Sequence, residues 1–142
     1  MTGAACKYLV FTLSGRLYAL DLAQVAEVVE QQATWPIPLA PPCYPGAINF
    51  HGTIVAVLDL ALFLKLPGGN DSDKLIVLDT RIASLAFSVD DTVRITPQGR
   101  IELFEAAKNE AFAIGQLNLP EGKVTLLDAA AIAEHAAETI NG

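Results

Sequence analysis

Short apolar and alternating segments dominate the chain, and they predict a mostly β protein. Segments of this kind are typical of strands when glycine or polar turn residues separate them. Between the first two segments, Ser14-Gly15-Arg16 predicts a tight hairpin turn. The predicted strands cover residues 8–13, 17–22, 25–30, 54–58, 75–78, 85–89, 92–96 and 123–127.

Two helices are predicted, each directly after a Leu-Asp pair. Asp59 precedes a helical segment at 60–66, and Asp128 precedes an alanine-rich segment that runs to about residue 137. An aspartate at such a position accepts hydrogen bonds from the free N–H groups of the first turn. The unbroken apolar run at 54–58 predicts a strand that is buried on both faces. Residues 98–109 are polar and mixed and give no clear period.

The second half of the chain repeats the pattern of the first. Val10 matches Val77, 67 residues later, and the pair Leu58-Asp59 matches Leu127-Asp128, 69 residues later. Any two β-rich halves can align to some extent, so this alternative stays open. A half of about 70 residues is small for independent stability. We therefore expect one domain with subdomains at about 14–70 and 71–127, completed by an N-terminal strand and a C-terminal helix around a shared core.

Composition excludes several classes of function. Hydrophobic residues make up 52% of the 142 residues, which disfavours disorder, and the net charge of −7 disfavours nucleic acid and anionic membranes as partners. No apolar run approaches the ~20 residues needed to span a bilayer. The N-terminus has no basic leader, so we expect a cytoplasmic protein. Cys6 and Cys43 are expected to be free thiols.

The residues predict neither an enzyme nor a cofactor. Asp59 and Asp128 are interpreted as helix caps rather than an acid pair, because their sequence contexts match. Cys43 has no activating base in its sequence context. His51 and His135 are the only histidines, which makes a metal site unexpected.

The stretch from residue 37 to 60, IPLAPPCYPGAINFHGTIVAVLDL, is the most informative part of the sequence. Its prolines and glycines fix the backbone and predict a rigid surface element that another protein contacts. We expect Ile48 in the core, and Trp35 and Tyr44 partly exposed as anchors for a partner.

With these residues considered, the chain resembles the CheW family, the coupling proteins of bacterial chemosensory arrays. The stretch from 37 to 60 carries the specific part of this similarity: a proline-containing loop, a glycine, an IN run and an apolar strand ending in Asp-Leu. The weaker matches are YLVFTLSGRLYALDLAQVAEVVE, LIVLDTRIASLAFSVDD and AIGQLNLPEGKVTLLDAAAI.

The resemblance implies two small SH3-like five-stranded β-barrels that pack around a shared core. It also implies a non-catalytic adaptor that joins the regulatory domain of a CheA-type histidine kinase to the cytoplasmic tip of methyl-accepting chemoreceptors. The receptor helices would lie in a groove between the barrels, and the protein would associate with membrane-bound receptor arrays without inserting into the membrane.

The resemblance further implies a set of binding residues. Phe87 and Val89 belong to it by family position, although burial in the core is an equal alternative. His51 stands where the family usually has arginine, and Pro45 stands at an often basic position, so we expect weaker pairing or a changed partner set. The implied kinase- or receptor-binding residues are Val25, Glu27, Pro41, Pro42, Tyr44, Gly46, His51, Phe87 and Val89.

Two other functions remain open at this level. The first is a sensor domain that binds a small, purine-like metabolite between the two barrels, although no residue supports it directly. The second is a hydrolase on a small β scaffold, which lacks any nucleophile–base pair in the sequence.

Overall fold

The computed structural model describes residues 7–67, 73–97, 101–103 and 112–141, which form strands and two α-helices. A short 3-10 helix at Leu22–Gln24 follows the second strand. The strands are β1 (Lys7–Leu13), β2 (Arg16–Asp21), β3 (Val25–Glu30), β4 (Gly46–Phe50), β5 (Thr53–Asp59), β6 (Lys74–Leu78), β7 (Leu85–Val89), β8 (Asp91–Pro97), β9 (Ile101–Leu103), β10 (Ala113–Leu119) and β11 (Gly122–Leu127); the helices are α1 (Leu60–Phe63) and α2 (Ala129–Asn141).

The protein is mostly β, as predicted, and its strands form two sheets. The first sheet has the order β8-β1-β2-β11-β10-β9, and the second has the order β3-β6-β7-β5-β4. All eight predicted strands are present, whereas β4, β9 and β10 were not predicted as separate strands. Glycine begins β4, and polar residues interrupt β10, so neither shows a clean alternation.

The internal repeat predicted from the sequence is confirmed by the topology. The repeat offsets place β1, β2, β5 and β11 in correspondence with β6, β7, β11 and β5, and the two sheets then share one strand order. The parallel pairing also repeats in register, because Ala56 pairs with Leu85 in the second sheet while Thr125 pairs with Tyr18 in the first. These four residues are related by the offsets of 69 and 67 residues found in the sequence.

The two sheets do not follow the two halves of the sequence. The second sheet takes its five strands from one continuous segment, from β3 to β7. The first sheet combines β1 and β2 with the strands from β8 onward. The boundary predicted near residue 70 therefore falls within the second sheet rather than between the sheets. Each half gives its first two strands to a sheet that the other half completes.

One hydrophobic core lies between the sheets, in agreement with the predicted shared core. It combines Phe11 and Leu20 of the first sheet with Leu58 and Phe87 of the second, and Ile132 of α2 packs against them. Each sheet also has a smaller apolar cluster of its own. Among the described residues, no pairing joins the two outer strands of either sheet, and the sheets have six and five strands, so two closed five-stranded barrels are not observed.

Both predicted helix caps are present. The Asp59 carboxylate accepts a hydrogen bond from the Leu62 N–H at 3.1 Å, and the Asp128 carboxylate accepts one from the Ala131 N–H at 3.1 Å. Helix α1 is shorter than predicted because Lys65 adopts a left-handed conformation (φ 60°), and the Leu66 N–H turns back to the Ala61 carbonyl. Helix α2 runs slightly beyond its predicted end.

Candidate protein-docking surface

The β4–β5 hairpin presents His51 at its tip. His51 and Gly52 both have positive φ (51° and 86°), which is typical of a two-residue hairpin turn. The Asn49 side chain accepts a hydrogen bond from the Gly52 N–H at 2.8 Å and holds the turn from inside. His51 is three-quarters exposed, and its ring packs on Phe50 at 4.3 Å between ring centroids. The predicted binding position of His51 is therefore accessible.

The structure brings together two residues that the sequence singled out separately. The Nε2 atom of His51 lies 3.5 Å from Oε1 of Glu27, which is on the edge strand β3. Glu27 is half-exposed, so solvent screens this contact and it adds little to stability. Val25 lies half-buried on the same strand. Glu27, His51 and Val25 thus form one accessible surface.

Gly46 holds the proline-rich loop against the second sheet. Trp35 and Ala47 exchange two backbone hydrogen bonds of 2.8 Å across the start of β4. A Cβ atom on Gly46 would lie 2.4 Å from the Trp35 carbonyl oxygen and 2.8 Å from the Thr34 side chain. Any other residue at position 46 would therefore displace the loop. The role of Gly46 in the structure is to allow this close approach of two backbones.

Tyr44 is buried, so its predicted partial exposure is wrong. Its side chain is only 6% exposed, and its hydroxyl donates a hydrogen bond of 2.9 Å to the Ala136 carbonyl in α2. The neighbouring prolines fix the loop but do not determine which way the aromatic ring points. Tyr44 anchors the loop to the C-terminal helix, while Pro41 is half-buried and Pro42 is exposed.

Phe87 and Val89 belong to the shared core. Both side chains have no exposed surface, so the structure places them as the core alternative described. Neither presents a surface to a partner in this conformation. Ile48 is fully buried, as predicted.

An apolar patch lies beside the hairpin, and the sequence did not predict it as a unit. Trp35, Ala47 and Ala56 lie opposite one another across neighbouring strands, and Ile54 is two residues before Ala56 on β5. Directly paired residues and residues two apart share one face of a sheet. Trp35 is 58% exposed, as expected, and Ile54 is 62% exposed, so the prediction of burial on both faces of β5 is wrong at its start. We call Trp35, Ala47, Ile54 and Ala56 the apolar patch.

Cys43 is poorly suited to catalysis. Burial raises the pKa of its thiol, and the negative charge of Asp59 acts in the same direction. A nucleophilic cysteine needs a lowered pKa. Asp59 caps α1, and Asp128 caps α2, at corresponding positions of the repeat. Within the described residues, no group of three or more His, Cys, Asp or Glu side chains converges as a metal site.

The sequence matches the family described as CheW-like domain over residues 7–137. The chain belongs to the CheW-like family. This match spans both sheets and most of α2. The family therefore accounts for the whole described fold.

Individual relatives agree with this assignment. The chemotaxis protein CheW of Bacillus subtilis (strain 168) is 30% identical over 87 residues, which cover 60% of this chain and 56% of that protein. The match thus spans little more than half of that relative's length. The scaffolding protein TtCheW from Thermoanaerobacter tengcongensis has a similar crystal structure, with a TM-score of 0.77 and 25% identity over 88% of this chain and 90% of that chain.

One further observation concerns membranes. In the described part of this CheW-like chain, no helix has both the length and the apolar character needed to cross a bilayer.

Proposed function

We propose that this chain is a non-catalytic adaptor that couples chemoreceptors to a CheA-type histidine kinase. The observation that carries the proposal is the CheW-like match over residues 7–137, which includes both sheets. Two relatives carry the names chemotaxis protein and scaffolding protein. In this role the protein acts in the cytoplasm, beside the membrane-bound receptor arrays.

The surface of the second sheet supports a role in binding. Large exposed apolar side chains next to a rigid hairpin are typical of protein interfaces, where a few anchors supply most of the binding energy. The apolar patch provides Trp35 and Ile54 as such anchors. We assign this patch to the regulatory domain of the kinase, and Val25, Glu27 and His51 to the adjoining kinase or receptor contact.

The test is a binding titration with purified components. The folded chain is mixed with the regulatory domain of the kinase and with a receptor fragment from the same organism. We expect both to bind at micromolar concentration. A folded sample that binds neither partner at that concentration would contradict the adaptor function.

A matched pair of variants tests the assignment of the patch. Ile54→Asp places a charge in the apolar patch, and we expect about tenfold weaker binding of the kinase domain. Leu62→Asp makes the same kind of change at a 47% exposed side chain on α1, and it should leave the affinity within about twofold. Equal effects of the two variants would place the kinase contact elsewhere.

A further inference from the structure

A shallow cleft opens where the β1–β2 turn meets the β10–β11 turn. It has a volume of about 310 Å³ and lies at the start of the parallel strands β2 and β11. We call it the charged cleft and define it by Arg16, Tyr18, Glu121, Lys123 and Thr125. It lies in the first sheet, so it is distinct from the surface assigned above.

Cationic side chains dominate this cleft, although the chain as a whole is acidic. Arg16 and Lys123 are exposed residues of its wall. Glu121 is bound by Arg94 through two contacts, Nη2 to Oε1 at 2.9 Å and Nε to Oε2 at 2.8 Å. The carboxylate is thereby neutralised, and these hydrogen bonds lower the pKa of Glu121. Cations therefore gather here in a chain with 16 acidic and 9 basic residues.

The internal repeat indicates that the fold does not require these cations. Thr125 pairs with Tyr18, and the same register continued by two residues places Lys123 opposite Arg16. In the second sheet the corresponding residues are Ile54 and Ala83, two residues before the pair Ala56–Leu85. The same backbone therefore carries two apolar residues at one end and two cations at the other.

The shape of the cleft favours an extended acidic partner over a small ion or metabolite. Small-molecule sites are enclosed and mostly apolar, with converging polar groups. The charged cleft is open, and its cations come from two different strands. Two separated cations match the successive carboxylates of a peptide chain, since arginine and lysine both bind carboxylates through charge-assisted hydrogen bonds.

We propose that the charged cleft docks an acidic segment of a partner protein, with Arg16 and Lys123 as the carboxylate-binding residues. The attraction is strongest at low salt, because exposed charges are screened beyond about 10 Å at 0.1 M ionic strength. It also guides the approach of an acidic partner to this end of an otherwise repelling protein. This site acts in addition to the adaptor function and does not depend on it.

The test uses a fluorescent decaglutamate peptide and the full-length chain at low salt. We expect binding that weakens as sodium chloride is added, with amide shifts in a two-dimensional NMR spectrum confined to β2, β11 and their turns. Lys123→Glu should weaken binding about fivefold. Lys7→Glu makes the same charge change at the far end of β1 and should leave the affinity unchanged.

Each remaining outcome has a defined meaning. Arg94→Gln releases the Glu121 carboxylate, and we expect it to weaken peptide binding without touching the peptide itself. The proposal is overturned if the peptide does not bind, or if Lys7→Glu and Lys123→Glu weaken it equally. It is also overturned if inorganic phosphate produces the same NMR shifts while the peptide produces none, because that result identifies a small-anion site. Neither kinase nor receptor is present, so failure here leaves the adaptor function untouched.

Discussion

The two ends of the molecule have one backbone arrangement and opposite surface chemistry. At the apolar patch, Ile54 and Ala83 occupy the positions that Lys123 and Arg16 occupy at the charged cleft. The inward-facing residues of the two ends stay alike, since Ala86 and Val57 of the second sheet correspond to Ala19 and Leu126 of the first. Burial constrains the inner residues, whereas the outer ones can diverge. The comparison separates the residues that build the repeat from those that distinguish its two ends.

The largest expected effect tests whether the two ends are one cooperative unit. Phe87→Ala removes a fully buried side chain and should cost about 3–5 kcal/mol, and Leu20→Ala, at the corresponding position, about 2–5 kcal/mol. Because both residues lie in one shared core, each variant should unfold in a single transition. Circular dichroism follows the whole chain in urea, while Trp35, the single tryptophan, reports on the apolar end.

Separate midpoints for the two signals would break the comparison, since they would mean that the ends unfold independently. Leu62→Ala serves as the control. Its side chain is about half exposed, so the cost should remain below about 1 kcal/mol.

A smaller effect is expected at Gly46, and only the apolar end should change. The added Cβ of Gly46→Ala would meet the Trp35 carbonyl at 2.4 Å, so the loop must shift. We expect a loss of about 2 kcal/mol and a change in tryptophan emission. Gly52→Ala is the matched control, because nothing lies within 4 Å of its Cβ. It should cost about 1 kcal/mol through its positive φ and leave the emission unchanged. Equal emission changes in both variants would contradict this role of Gly46.

The smallest effect concerns the charged end alone. Hydrogen bonds from Arg94 lower the pKa of Glu121 below its ordinary value of 4.5. A lowered pKa in the folded state means that this contact stabilises the protein above the ordinary pKa and is lost as the pH falls through the lowered one. An NMR titration of the Glu121 side chain should therefore give a midpoint below 4.5, and Arg94→Gln should raise it. An unchanged midpoint in the variant would show that Arg94 does not bind this carboxylate in solution.

The sequence predicted the elements of this fold better than their arrangement. The caps at Asp59 and Asp128 and the repeat follow from local residue types and spacing, so they could be found without a structure. The exchange of strands between the sheets could not, because a repeat offset does not say which copy a strand pairs with. Tyr44 and Ile54 were assigned wrong exposures, since apolar character does not state which face of a loop or strand is covered.

The candidate sites show the same limit. Glu27 and His51 were singled out individually, yet their proximity depends on β3 and the β4–β5 hairpin lying at the same end of the second sheet. The charged cleft was not predicted at all. Its two cations, Arg16 and Lys123, are far apart in sequence and meet only through the parallel pairing of β2 with β11.

The exchange of strands between the two sheets has a consequence for the origin of the molecule. Two copies of a unit of about 70 residues, each lending its first hairpin to the other, would form a domain-swapped homodimer. Joining the end of one copy to the start of the next between α1 and β6 gives the present chain. The protein thus has the architecture of a fused dimer, and fusion is what freed each formerly identical end to acquire a surface of its own.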